Sequence, residues 1–232
     1  MNLEPTHYRE FKNNILKIQN WSGNNIQNYI RGIDNESFEN LLEYYPDKHL
    51  TRENLFDLVK NNMITTEICL NSILIWGGIK RNHFRMMLQH KNKWITACEN
   101  IRNNNLNRNI SYKSFEEIRS SGSSGIGPAY FTKLIYFLNS KSDKRGYIMD
   151  QWTARSINLL SNKKLVKLTK SGNSYYVNDN NNSDIYEEFC NIIEKISCDI
   201  NVSTDCVELS LFSNGGRSKG NWRNYVIQNH SE

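Results

Sequence analysis

The 232-residue chain has no apolar run long enough to cross a membrane. Its most apolar stretch, Ile68 to Ile75, is interrupted by Asn71 and Ser72, whereas a spanning helix needs about 20 mostly apolar residues. The first residues, Met1-Asn-Leu-Glu-Pro-Thr-His7, contain no apolar signal-peptide core. Both absences lead to the expectation of a soluble, cytoplasmic protein. No two of the five cysteines have Cys-x-x-Cys spacing, so neither a zinc site nor a disulfide framework is signalled. Cys190, Cys198 and Cys206 stand eight apart, which on a single helix would bring them roughly to one face. Buried free thiols are the plainer reading, with an iron–sulfur cluster as its rival. The glycine-rich Gly215-Gly-Arg-Ser-Lys-Gly-Asn-Trp222 reads as a mobile basic loop. It lacks the Gly-Lys-Ser/Thr ending of a phosphate-binding loop, which removes the case for nucleoside triphosphate binding. No cofactor or metal is expected.

What remains is a globular composition. Hydrophobic residues make up 38% and aromatics 11%, enough for a core and too much for general disorder. The net charge of +5 favours an anionic partner without naming one. The fold class expected is mainly α, with two helical lobes and one minor β-hairpin. Tyr8, Phe11, Ile15 and Ile18 recur at helical spacing, as do Phe38, Leu41 and Leu42. Thr51 and Thr65 are suited to cap the next two helices, the second ending at Gly77-Gly78. A further helix covers Trp94 to Ile101. Ser114-Phe-Glu-Glu117 has capping-box spacing, which predicts a short helix from 114 to 120. Leu165–Thr169 and Ser174–Val177 flank a hairpin turn at Lys170-Ser-Gly-Asn. Helices at about 184–196 and 203–212 follow. The chain is expected to be one unit, with a helical lobe at about 20–110, a central segment at 114–160, and the hairpin and last helices at 161–232.

The central segment carries the chemistry. Gly125-Ile-Gly127 opens the apolar helix that starts at Pro128. Glycines there leave backbone N–H groups uncovered at a helix N-terminus, where a phosphate is favoured. Ser123, Ser124 and Ile126 belong to the same turn and are expected to share its contact with DNA. A plain tight turn between packed helices would also explain it. Lys133 is the one cation in an otherwise buried-looking helix, which is costly unless it is used or reaches water. Its stem should lean toward the helix N-terminus and over Ala129. Asp150 follows Tyr147-Ile-Met149 and precedes Gln151-Trp152-Thr153-Ala154-Arg155. It is placed as an N-cap or first-turn residue. Trp76-Gly-Gly-Ile-Lys80-Arg81 has two readings: a loop touching base or phosphate, or a helix end followed by a solvated basic helix.

In order and spacing this stretch resembles the helix–hairpin–helix DNA glycosylases, the superfamily of endonuclease III and 8-oxoguanine DNA glycosylase. The matching residues are Ser124-Gly-Ile-Gly-Pro128 and Ile148-Met-Asp-Gln-Trp-Thr-Ala-Arg155. Trp76-Gly-Gly78, Phe131-Thr-Lys-Leu134 and Tyr147-Ile-Met-Asp-Gln-Trp152 are closest to bacterial proteins with the 8-oxoguanine-glycosylase fold, some of them in phage-defence settings. The specific motif covers about 35 residues, and two positions depart from it. Ser123 and Ser124 replace the usual Leu-Pro, and Ala129 stands where bifunctional members carry their lysine. Lys133 lies one turn further on, ~5.4 Å along the same face.

The resemblance implies a monomer that flips a damaged or modified base out of double-stranded DNA. Asp150 would stabilise the cationic sugar, and Lys133 would form a Schiff base. Gly125, Ile126, Gly127, Ser123, Ser124, Arg155, Lys80 and Arg81 would touch DNA. Trp76, Trp94, Trp152 and Phe212 are the aromatic candidates for the base pocket. The rivals are a non-catalytic helix–hairpin–helix DNA-binding protein and a helical interaction protein with a fortuitous turn.

Overall fold

A computed structural model describes residues 3–15, 22–33, 45, 49–104, 106–122, 125–139, 145–172, 174–213 and 220–230. Among these residues the chain is mainly α-helical, with one two-stranded antiparallel sheet, the fold class expected. It divides into two compact units. One is formed by residues 22–146, and the other by residues 1–21 together with 147–232.

The central unit contains α2 (Ile26–Arg31), α3 (Arg52–Lys60), α4 (Thr66–Trp76), α5 (Arg81–Leu88), α6 (Lys91–Asn104), α7 (Arg108–Ser120) and α8 (Pro128–Leu138). Thr51 and Thr65 cap α3 and α4 through their hydroxyls, as their positions predict. Helices α4 and α8 are apolar nearly all round and are buried along almost their whole lengths, which makes them core helices. Each packs on α3 and α6 and on the other. Phe115 of α7 stacks on Trp94 of α6 at 5.7 Å and on Phe131 of α8 at 5.4 Å. Each such side chain contributes about 1.5–3 kcal/mol by leaving water.

Helix α7 is longer than its capping-box signal. Asn107 is the true cap, accepting from the Ile110 N–H at 2.9 Å, and Ser114 lies inside the helix with its hydroxyl donating to the Ile110 carbonyl. The buried residues Arg108, Ser111, Tyr112 and Phe115 carry the helix back past Ser114.

The two-segment unit contains α1 (Pro5–Asn13), α9 (Gln151–Ser161), β1 (Leu168–Ser171), β2 (Ser174–Val177), α10 (Ser183–Ile200), α11 (Thr204–Phe212) and α12 (Asn221–Asn229). Leu168 pairs with Val177 and Ser171 with Ser174. The hairpin turn is therefore tighter than expected, with Gly172 at φ 58°. Helix α1 stops at Asn13, so Ile15 lies beyond it. Ile18, Phe38, Leu41 and Leu42 lie outside the described residues.

Two expectations in this unit change. Helix α10 ends at Asn201 in the left-handed conformation, so Cys206 sits on a different helix from Cys190 and Cys198 and the three share no single face. Trp222 is not in a loop: it starts α12 behind its N-cap Gly220, is buried, and donates to the Ser156 hydroxyl at 2.9 Å. Residues 214–219 of the expected loop lie outside the described residues. No described helix is long and apolar enough to cross a membrane.

Candidate functional site

Lys133 is the sixth residue of α8 and is only 8% exposed. Its Nζ donates to the Ala129 carbonyl, one turn back, and lies 5.4 Å from the centre of the Tyr130 ring. Helical Cβ atoms point toward the N-terminus, so a long side chain naturally runs that way. The ammonium therefore sits beside Ala129 although the lysine Cα is one turn further on. Its aliphatic stem crosses Gly77 of α4's C-cap. A Cβ at Gly77 would stand 2.5 Å from Lys133 Cδ and 2.9 Å from Cε. Gly77 has φ −71°, a conformation open to any residue. The lysine stem, not the backbone, is what excludes a side chain there. Gly78, by contrast, has φ +79° with open space around it, which is the reason for glycine in a left-handed turn.

The turn before α8 holds Gly125 at φ +110°. A Cβ there would meet the His83 carbonyl at 2.6 Å and the Met87 nitrogen at 2.7 Å, both on α5. Gly125 thus serves close packing against α5 as well as the turn. Ile126 is 1% exposed and belongs to the core, so its side chain is not offered to DNA. Gly127 is the N-cap of α8 and lends it no side-chain hydrogen bond. Ser123 and Ser124 lie outside the described residues. Lys80 and Arg81 are exposed at the start of α5, the arrangement of a helix end followed by a basic helix.

Two of the aromatic candidates are core residues, a correction to the base-pocket expectation. Trp94 is fully buried against Phe115. Trp76 is buried edge-on to Phe137 at 5.1 Å, and its indole N–H donates to the Leu50 carbonyl at 3.0 Å. Buried indoles need such a partner, and finding one inside the fold leaves Trp76 no polar handle for a ligand.

Asp150 is the N-cap of α9 in the two-segment unit. Its Oδ1 accepts from the N–H groups of Trp152 at 2.8 Å and Thr153 at 3.0 Å, while its own N–H donates to Thr153 Oγ1 at 2.9 Å. No described residue donates a hydrogen bond to Oδ2. One carboxylate oxygen thus holds the helix start, and the other has an acceptor's full capacity left.

Around Asp150 the same unit assembles a cationic and aromatic group. The Arg155 guanidinium lies 5.0 Å from the centre of the Trp152 ring and 4.6 Å from that of Tyr175. Arg223 of α12 lies 4.4 Å from Trp152 and 5.6 Å from Phe212, and it donates to the Phe212 carbonyl at 2.8 Å. Burial pushes both guanidiniums below their ordinary pKa, while the Asp150 carboxylate acts the other way on Arg223. Arg223 thus touches both Trp152 and Phe212 and is the arginine on which the Asp150 carboxylate acts.

A family model described as "Putative 8-oxoguanine DNA glycosylase OGG-like protein" matches residues 21–212. The chain belongs to this family. No curated protein and no solved structure matches it. Membership in the OGG-like family makes the chain a DNA glycosylase relative whose expected substrate is DNA. The matched span contains Lys133 and Asp150 and stops at Phe212, before Arg223. Arg223 and Tyr175 escaped the sequence reading. Trp222 and Val226, at helical spacing on either side of Arg223, were the available signal that a helix and not a loop carries it.

Proposed function

We propose that this OGG-like chain excises a damaged or modified base from double-stranded DNA, with Asp150 and Lys133 as its catalytic residues. Family membership over residues 21–212 carries the reading. The uncommitted Oδ2 of Asp150 and the buried Lys133 support it. The flipped nucleotide loses its base through an oxocarbenium-like state, which a carboxylate stabilises. Lys133 attacks as the free amine. Its lone pair forms the bond to C1′ while the glycosidic electrons leave with the base, which takes up a proton. Ring opening then gives a Schiff base, and loss of a C2′ proton expels the 3′ phosphate. The α7–turn–α8 element, as a helix–hairpin–helix, grips the backbone through the Gly125 and Gly127 N–H groups, Ser123 and Ser124, with Lys80, Arg81 and Arg155 adding charge. The protein acts as a monomer without a cofactor.

Oxidised guanine is the first substrate to assay, because the family description names it. Modified phage DNA is the second, and the base released separates repair from defence. Borohydride should trap a covalent protein–DNA adduct on a cleavable duplex. Base release without an adduct would make the enzyme a monofunctional glycosylase. Duplex binding with no release from any substrate, by wild type and Asp150→Asn alike, would establish the non-catalytic DNA-binding protein instead.

A further inference from the structure

The clearest unanswered demand in the two-segment unit is the Arg155 guanidinium. Arg155 as a residue is 6% exposed, its Nε is buried, and no described residue accepts a hydrogen bond from the guanidinium or pairs with it. Burying a cation in that way is costly unless an anion or acceptor meets it. Its two contacts are ring faces, those of Trp152 and Tyr175. Stacking engages the flat side of a guanidinium and leaves its N–H edge for a planar or tetrahedral anion. Arg223, 5% exposed, is held against the same Trp152 by its bond to the Phe212 carbonyl. Two buried guanidiniums on one indole, two residues past Asp150's own position in the chain, make a concentrated positive site with donors prearranged by aromatic packing. The Asp150 carboxylate acts on Arg223.

We infer that Arg155 and Arg223, held on Trp152, form a phosphate-binding clamp that takes a DNA phosphodiester beside Asp150. The inference rests on the DNA-glycosylase reading for its ligand and on these contacts for its residues. It also reassigns Trp152: the indole orders two arginines and is not a platform for the flipped base. The clamp would fix the strand next to the nucleotide being excised, which is where positioning is worth most to the rate.

The test is equilibrium binding of the full chain to a short duplex carrying a tetrahydrofuran abasic-site analogue, over a range of salt concentrations. Arg155→Met and Arg223→Met keep most of the apolar stem and remove the charge. Each should weaken binding roughly tenfold or more, as loss of a charge-assisted hydrogen bond does. Each should also lower the slope of log K against log salt by about one. Arg155→Lys, which keeps the charge but not the fork, should restore the slope and only part of the affinity. Folded variants with unchanged affinity and slope would overturn the clamp. If either Met variant fails to fold, wild type is measured on duplexes with single methylphosphonates near the analogue. One neutral position should reproduce the tenfold loss, and equal binding at all positions overturns the clamp. Inorganic phosphate separates this inference from the functional reading. Should wild type bind no duplex, the glycosylase reading fails. Thermal stabilisation by phosphate that Arg155→Met abolishes would then still establish the anion site, and its absence would remove that too.

Discussion

Asp150 caps α9 and is proposed to stabilise the developing cation, and the two roles can be separated at the level of single atoms. Asparagine accepts at an N-cap as well as aspartate does, so Asp150→Asn should keep the Oδ1 bonds to Trp152 and Thr153. Its unfolding free energy is expected within about 0.5 kcal/mol of wild type. On the proposed mechanism, base release in single-turnover assays should fall at least ~100-fold, because the charge that would stabilise the developing cation is gone. Asp150→Ala should instead also lose about 1 kcal/mol of stability, the value of a cap. Unchanged base release in Asp150→Asn would mean that the carboxylate is structural alone. The cysteines separate by environment in the same way. Burial pushes Cys69 up to about 11 and Cys98 well above its ordinary value, and a thiol reacts as its thiolate. At pH 8 a maleimide should label exposed Cys198 fastest, with Cys69, Cys98 and Cys190 protected until unfolding. Mass mapping of the labelled peptides reads this directly.

At the level of elements, two neighbouring glycines between α4 and α5 have different causes. Gly77→Ala places a methyl against the Lys133 stem and should cost ~1–3 kcal/mol as overpacking. Because the lysine must shift, the borohydride-trapped adduct should fall further than duplex affinity does. Gly78→Asn keeps a residue tolerant of the left-handed turn and meets no neighbour. Its trapping should match wild type. Equal trapping in both variants would sink the claim that Gly77 positions Lys133. Gly125→Ala combines a left-handed φ with contact against the α5 backbone. It should cost stability as well as duplex binding, measured by denaturation and fluorescence titration.

For the whole molecule, the buried phenols and thiols set how it meets alkali. Tyr29 and Tyr45 are each pushed from 10 to about 12 by burial, and Cys69 from 9 to about 11. The folded chain holds these protons more tightly than the unfolded one. Their contribution is therefore complete below pH 9 and is lost as pH rises, first through the Cys69 range and then between 10 and 12. Thermal midpoints should be level with respect to these groups up to pH 9 and then decline. Midpoints rising over pH 9 to 12 would contradict the burial of all three.

Helical content was readable along most of the chain because apolar spacing and caps are local. Thr51 and Thr65 act within three residues of themselves, as do the helix starts they specify. Asp150 was legible as a cap for the same reason, and the family resemblance was legible because its hairpin glycines and aspartate keep their order and spacing. Other features depended on which segments meet. Nothing near Trp76 or Trp94 in sequence says whether an indole lines a cleft or fills a core, since that is set by Leu50 and Phe115 arriving from elsewhere. Ser114 looked like a helix start because its capping pattern is complete locally, while the buried face that extends α7 to Arg108 is set by packing. Arg223 is 73 residues beyond Asp150 in the chain, and only folding brings it to Trp152. The sequence by itself determined most of the helices, the cap at Asp150 and the family. The tertiary structure alone decided that Gly77 makes room for Lys133 and that two arginines share one indole, because close approach between distant segments leaves no periodic trace in the chain.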